Sequence, residues 1–373
     1  MAPRSVLIDG LKILAAQLIV LHHVVLYAPM ADTVAPDWPT VRSFLVDEAR
    51  FVVQIFLVIG GFLAAQGLSR GVDNLPRALL ARYLRLVPML AVALLAVLGA
   101  SALLPPDRWP DWVTPWPTFG QFVAHLLLLQ DVLGIPSLSA GAWYVSIDFQ
   151  LYALLAVGAA MLPRAVLPWA VAALSLASLG GFSRADAFDV WALYFFGAYG
   201  LGALAAWAGR SRPLAWLFGI VCAVHLAAAG LEARPRVALA CLTAIALACA
   251  ASRWQARGRS ARWLAYWSDA SYGVFLIHYA VIVAMTALWL RLNLASPTAA
   301  WSLLLACWAA SLAAGAALQR RIGALPLSRA ARKPDAVPGP PAPRHCHGTS
   351  TATPPAAHAA SPTADRQSSR PAP

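Results

Sequence analysis

The chain has 373 residues, 60% of them hydrophobic and only 12% charged, with a mean hydropathy of +0.66. That balance excludes an ordinary soluble domain, which carries roughly twice the charge on a smaller apolar fraction. Lys and Arg outnumber Asp and Glu by 28 to 16, a formal charge of +12, but most basic residues sit between apolar runs, where orientation signals belong, so the charge reports topology and not a nucleic-acid partner.

Apolar runs of about 20 residues recur as far as position 318, which predicts an all-α, polytopic integral membrane protein. The first run, Val6–Tyr27, carries Asp9, Lys12, His22 and His23. At about 100° and 1.5 Å per residue, Lys12 and His23 lie within roughly 20° of each other and about 16 Å apart along a helix axis. Asp9 falls within roughly 40° of His23, whereas His22 lies about 80° from Lys12, off the stripe. Ionisable groups on one intramembrane stripe point to a functional path. The plainer account has Lys12 snorkelling to the interface, Asp9 pairing with it at i,i+3, and His23 bonding a neighbouring helix. Asp9 and Lys12 also break a signal-peptide pattern, so the run is expected to be a retained first span.

Phe44–Leu68 is the second run and Val87–Leu104 the third. Just before the third stand Arg82 and Arg85, one face at i,i+3, whose forks suit a phosphorylated ligand as well as an ordinary basic flank. Trp109, Trp112 and Trp116 read as interfacial belt anchors or sugar platforms. Phe119–Leu133 is short for a crossing and lies between Pro-rich segments. Trp143–Leu162 opens with Trp143-Tyr144, followed by Asp148 and Tyr152 on one face at i,i+4; the acid needs a base, or holds a histidine tautomer.

Further runs are Val166–Gly180, Val190–Ala208, Leu214–Gly230, Val237–Ala251, Tyr272–Leu290 and Ala299–Leu318. Ser271-Tyr272-Gly273 leads to His278, a second intramembrane histidine expected about a turn and a half from the cytoplasmic end, suited to bridging helices or to a donor site. If Phe119–Leu133 does not cross, the arginines from Arg70 to Arg85, Arg164, Arg210, Arg212, the Arg253–Arg262 cluster, Arg320 and Arg321 share the cytoplasmic face. If it crosses, that cluster is placed outside, against the positive-inside rule. About ten spans with both termini cytoplasmic are therefore expected, with Phe119–Leu133 re-entrant or lying along the outer surface. Residues 1–329 form the membrane domain; 330–373, rich in Pro, Ala, Ser and Thr, read as a disordered cytoplasmic tail. The cysteines read as small buried hydrophobes, and His345-Cys346-His347 is too sparse for a metal site, so no metal is expected.

Taken together, these motifs resemble the acyltransferase family 3 of membrane-bound O-acyltransferases over roughly Val6 to Leu318. Lys12-x10-His23 resembles the family's basic residue and histidine in the first span. Asp9-Gly10-Leu11-Lys12, the Arg82/Arg85 pair before Pro88, Phe56 to Leu63 and Ser271 to His278 resemble its further motifs. Gly60 stands where the family often has Ser, and Asp148 where it commonly has Glu. Without a long extension fused to an esterase-like domain, the chain is similar to the stand-alone branch.

The resemblance implies transfer of an acyl group, acetyl by family weight, from acyl-CoA as co-substrate to a hydroxyl of a cell-envelope glycan or lipid-linked saccharide. It also implies the inner membrane of a bacterium, surrounding lipids as partners and no permanently bound cofactor. On that expectation Lys12, Arg82, Arg85 and His278 belong to the donor site. His23 acts as general base or as nucleophile, Asp148 orients it, and Asp9, Trp143 and Tyr152 support or bind the acceptor. A transporter or flippase using the same stripe is the competing reading, together with a scaffold without turnover; no internal repeat favours the former.

Overall fold

A backbone in hydrocarbon has no hydrogen-bond partner but itself, so each apolar run becomes a helix. The computed structural model describes residues 4–250 and 255–323. Helix α1 (Val6–Tyr27) starts where Ser5 Oγ accepts from the Ile8 N–H at 3.4 Å. After irregular helical turns from Pro39 comes α2 (Val53–Gly67), then α3 (Leu75–Ser101), capped by Asn74 and with Pro76 in its first turn. The short α4 (Phe119–Leu126) has a reciprocal Thr118–Gln121 cap. There follow α5 (Ala142–Met161), α6 (Leu167–Gly180), α7 (Ala192–Ala208), α8 (Arg212–Leu231), α9 (Pro235–Ala250), α10 (Gly258–Arg291) and α11 (Pro297–Arg321). Among the described residues, 7 helical segments are long and apolar enough to cross a membrane, and α7 and α9 are shorter apolar helices. The protein is all-α and multi-pass. The predicted tail, with His345-Cys346-His347, lies outside the described residues.

Two helices start earlier than hydropathy suggests. The run expected from Val87 begins at Leu75, and the one expected from Tyr272 begins at Gly258. Their first turns carry arginines that hide them from an apolar scan. Arg82 and Arg85 therefore lie within α3, not on a flank. His278 lies about 30 Å along α10 rather than near its start.

Contacts at the helix ends set the topology. Arg4–Ser5 pairs antiparallel with Gln255–Ala256, so α1 and α10 start at one face of the bundle. The Arg164 guanidinium lies 3.3 Å from where a Gly71 Cβ would sit, so α5 ends at the face where α3 starts. The chain between α3 and α5 must then leave and return at the opposite face, without crossing. Between those points it dives. Tyr83 OH donates to the Leu126 carbonyl at 2.9 Å, and Tyr83 is about 27 Å along α3 from Ser101. Residues 119–141 thus fold back along the bundle, burying Ala124, His125, Leu128, Gln130, Leu138 and Ser139 while Phe119, Leu127, Leu129 and Leu133 stay exposed. His125 joins the two limbs: its Nδ1–H donates to Gln121 O at 2.7 Å, and its Nε2 accepts from the Leu138 N–H at 3.0 Å.

Close helix pairs hold the site-bearing elements in register. Helix α2 packs on α7 and α10 on α11, while α1 and α3 both flank α10. At the first crossing a Cβ on Gly61 would collide with the Tyr199 carbonyl, and one on Gly202 with the Val58 carbonyl. Small residues let backbones approach where lipid supplies no hydrophobic drive between helices.

Candidate active site

Helices α1 and α10 run side by side in the same direction, which brings two pairs of polar side chains together. Near their starts, Ser268 Oγ donates to Asp9 Oδ1 at 2.6 Å, with Asp9 buried. Fourteen residues further on, about 21 Å along α1, His23 Nδ1 stands 2.8 Å from His278 Nε2, with parallel rings. His278 is fully buried and His23 is 8% exposed.

The neighbours determine which nitrogen carries each proton. His278 Nδ1 lies 2.7 Å from the Phe275 carbonyl, which can only accept, so that nitrogen bears the hydrogen. In the neutral ring Nε2 is then an acceptor, and it takes its hydrogen bond from His23 Nδ1–H. The lone pair on His23 is left at Nε2, for which the described residues supply no partner. His22 points elsewhere, its Nδ1–H donating to Leu45 O at 2.7 Å. The Tyr27 ring stacks on His23, and Tyr279 OH, donating to Trp112 O at 2.7 Å, fixes the aromatic rim. Trp112 thus packs against Tyr27 and Tyr279, which settles what it touches in the folded chain.

Asp148 does not meet His23. Its two carboxylate oxygens accept from Arg82 Nη2 at 2.7 and 2.6 Å, and both side chains are largely buried. The expected orienting contact is therefore corrected: His278 partners His23, and Asp148 partners Arg82. A carboxylate in a dry interior takes the strongest donor in reach, and a guanidinium outranks an imidazole that is already bonded. The same pairing sets the direction of the Arg82 side chain. Instead of snorkelling outward, its side chain reaches inward to the acid.

A ring of tyrosines encloses this ion pair. The Tyr152 ring lies 5.0 Å from the Arg82 guanidinium carbon, Tyr272 OH donates to Leu86 O at 3.2 Å, and Tyr199 sits beside Gly60. A Cβ at Gly60 would be 3.3 Å from the Tyr199 ring and 3.7 Å from Asp148 Oδ1. Arg82 Nε and Tyr199 OH are buried without a hydrogen-bond partner. Between the two centres, Tyr144 on α5 packs edge-on against Phe275, the residue whose carbonyl holds His278. Trp143 packs against Phe195 and Tyr144.

The remaining expected donor residues separate by depth. Lys12 is half-buried on α1, and Arg85 is exposed on α3, one turn beyond Arg82. Sequence reasoning missed Tyr199, Phe275, His125 and Gln130. An intramembrane tyrosine between small residues, as in Ala198-Tyr199-Gly200, is the signal that marks the first. Gln130 is fully buried and donates to Ser146 Oγ at 2.7 Å, tying the folded-back segment to α5. Among the described residues no group of three or more His, Cys, Asp or Glu could hold a metal ion.

With this geometry in hand, comparison with known proteins gives one family. The model of the acyltransferase domain family matches residues 6–318, nearly the whole chain. No curated protein and no solved structure matched. The chain belongs to this family and is a membrane-bound O-acyltransferase.

Proposed function

We propose that this acyltransferase takes an acyl group, acetyl by family weight, from cytoplasmic acyl-CoA. It delivers that group to a hydroxyl of an extracytoplasmic or membrane-linked glycan. The protein would work in the inner membrane of a bacterium, with Lys12 and Arg85 at the cytoplasmic mouth holding the phosphates of the donor. His23 Nε2 takes the proton from the acceptor hydroxyl, the oxygen attacks the thioester carbonyl, the carbon–sulfur bond breaks, and the leaving thiolate is protonated by the imidazolium. His278 is a positioning residue that keeps the proton on His23 Nδ1 throughout.

One observation carries this reading: the Phe275 O, His278, His23 series, which leaves a lone pair at His23 Nε2. A base and a nucleophile both need that lone pair. The acyl-imidazole route is therefore served by the same arrangement. Asp9 and the Arg82–Asp148 pair hold the helices that carry the site, and Tyr152 and Trp143 pack around them.

The test uses membranes containing His23→Ala at normal expression and acyl-CoA labelled in the acyl group. A positioned base contributes about 10²–10⁴-fold, so transfer to the glycan should fall by at least that lower bound. Wild-type transfer by the variant would overturn the proposal.

A further inference from the structure

A second polar site lies among α6, α7, α8 and α9, where α6 and α8 end and α7 and α9 begin. Here a small, half-open cleft of about 40 Å³ lies between the helices, with room for the polar end of a ligand whose remainder stays outside. On its wall stands His225 of α8, 2% exposed. Its Nδ1–H donates to the Val221 carbonyl at 2.9 Å, so the neutral ring keeps its lone pair on Nε2, which is buried and has no partner. Buried polar atoms are nearly always bonded, and an orphan facing a cleft marks the place of an absent partner. Opposite it α7 carries Gly197, where a Cβ would lie 3.5 Å from His225 Nε2 and 3.5 Å from Ser178 Oγ.

The mouth is cationic and rigid. Arg236 donates to Tyr194 OH at 2.7 Å and to Ser183 O at 2.9 Å, with its guanidinium over the Tyr194 ring. Arg234 donates to Leu179 O at 3.1 Å and to Ser183 Oγ at 2.6 Å. Glu232 is shared between Arg184 and Arg234, so it neutralises only part of this charge. A guanidinium has five N–H donors: Arg236 uses two of them in these contacts, whereas Arg234 spends its Nη hydrogens on Leu179, Ser183 and Glu232. The N-termini of α7 and α9 add partial positive charge.

Fixed donors at the mouth select an acceptor of negative charge, and a neutral imidazole acceptor behind them selects a hydroxyl. We propose that this cleft binds a hydroxyl-bearing anion, its carboxylate or phosphate held by Arg236 beside the charge of Arg234 and one hydroxyl donating to His225 Nε2. The group could be carried by an acidic or phosphorylated sugar or by a hydroxylated phospholipid headgroup. The assignment goes beyond acyl transfer and does not depend on it, because binding is its readout.

The test uses the full-length protein in nanodiscs. In phosphatidylcholine nanodiscs, calorimetry compares glucuronate and glucose 1-phosphate with neutral glucose. In a second arm without sugar, the unfolding temperature is compared between phosphatidylcholine and phosphatidylglycerol nanodiscs. Binding of either sugar anion at least tenfold tighter than glucose identifies a sugar ligand, and a higher unfolding temperature in phosphatidylglycerol identifies the lipid. Either effect should fall at least tenfold, or vanish, in Arg236→Gln and in Gly197→Ala. The second variant keeps every charge and adds one methyl at ordinary contact distance from His225 Nε2. Absence of both effects in the wild type overturns the proposal, as does their persistence in both variants.

Discussion

Replacing His278 by Leu tests the proton arrangement at His23 directly. Leu fills much of the same buried space but offers no acceptor to His23 Nδ1–H, now 2.8 Å from His278 Nε2. The net value of such a hydrogen bond is about 0.5–1.5 kcal/mol, and a buried donor left unpaired costs about 1–3 kcal/mol. Because about 1.4 kcal/mol is tenfold in rate, kcat should fall roughly 5- to 150-fold. The expected loss is smaller than that for His23→Ala, because the base itself remains. His278→Gln keeps an acceptor oxygen at the reach of Nε2 and should recover most of the rate. The assay follows label from acyl-CoA to glycan in proteoliposomes, with kcat and KM for acyl-CoA determined separately. A raised KM at unchanged kcat in His278→Leu would refute the orienting role and favour the donor-site role instead. Equal rates for Leu and wild type would refute both.

Three further outcomes follow from packing and burial. Asp148→Asn or Arg82→Met leaves its partner charged and largely buried, so each should lower stability by about 3–5 kcal/mol; the Arg82→Met/Asp148→Leu double variant should recover much of it, read from thermal unfolding in detergent. Gly61→Ala drives a methyl into the Tyr199 carbonyl and should cost about 1–3 kcal/mol or more, whereas Gly99→Ala, with nothing within 4 Å, should be neutral or stabilise by up to about 1 kcal/mol. His125→Leu strands the buried Leu138 N–H at a cost of about 1–3 kcal/mol, and should open residues 127–137 to protease before the helices unfold.

Much of the fold was legible because hydrophobic length is a local property. Ten apolar runs can be counted on the chain, and a helix occupies each. The starts of α3 and α10 were hidden because Arg77, Arg82, Arg259 and Arg262 interrupt the apolar count, although Asn74 and Pro76 mark the first start as a cap and a first turn. Charge bias also pointed to a non-crossing Phe119–Leu133. Its depth was not legible, because that rests on Tyr83 meeting Leu126 across 43 positions.

What the chain determined by itself was an all-α multi-pass protein, a first helix bearing Asp9, Lys12 and His23, and motifs that place it in its family. Spacing along one helix carries that much, since neighbours at i,i+3 and i,i+4 share a face whatever surrounds them. Which side chain answers which was decided only in the folded bundle. His23 and His278 are 255 positions apart, and Arg82 and Asp148 are 66 apart. Each acceptor could have satisfied another donor, and the choice fell to which helices pack together, α1 on α10 and α3 on α5. The polar stripe on α1 was written in its own residues; the position of the lone pair on His23 was set by a carbonyl on α10.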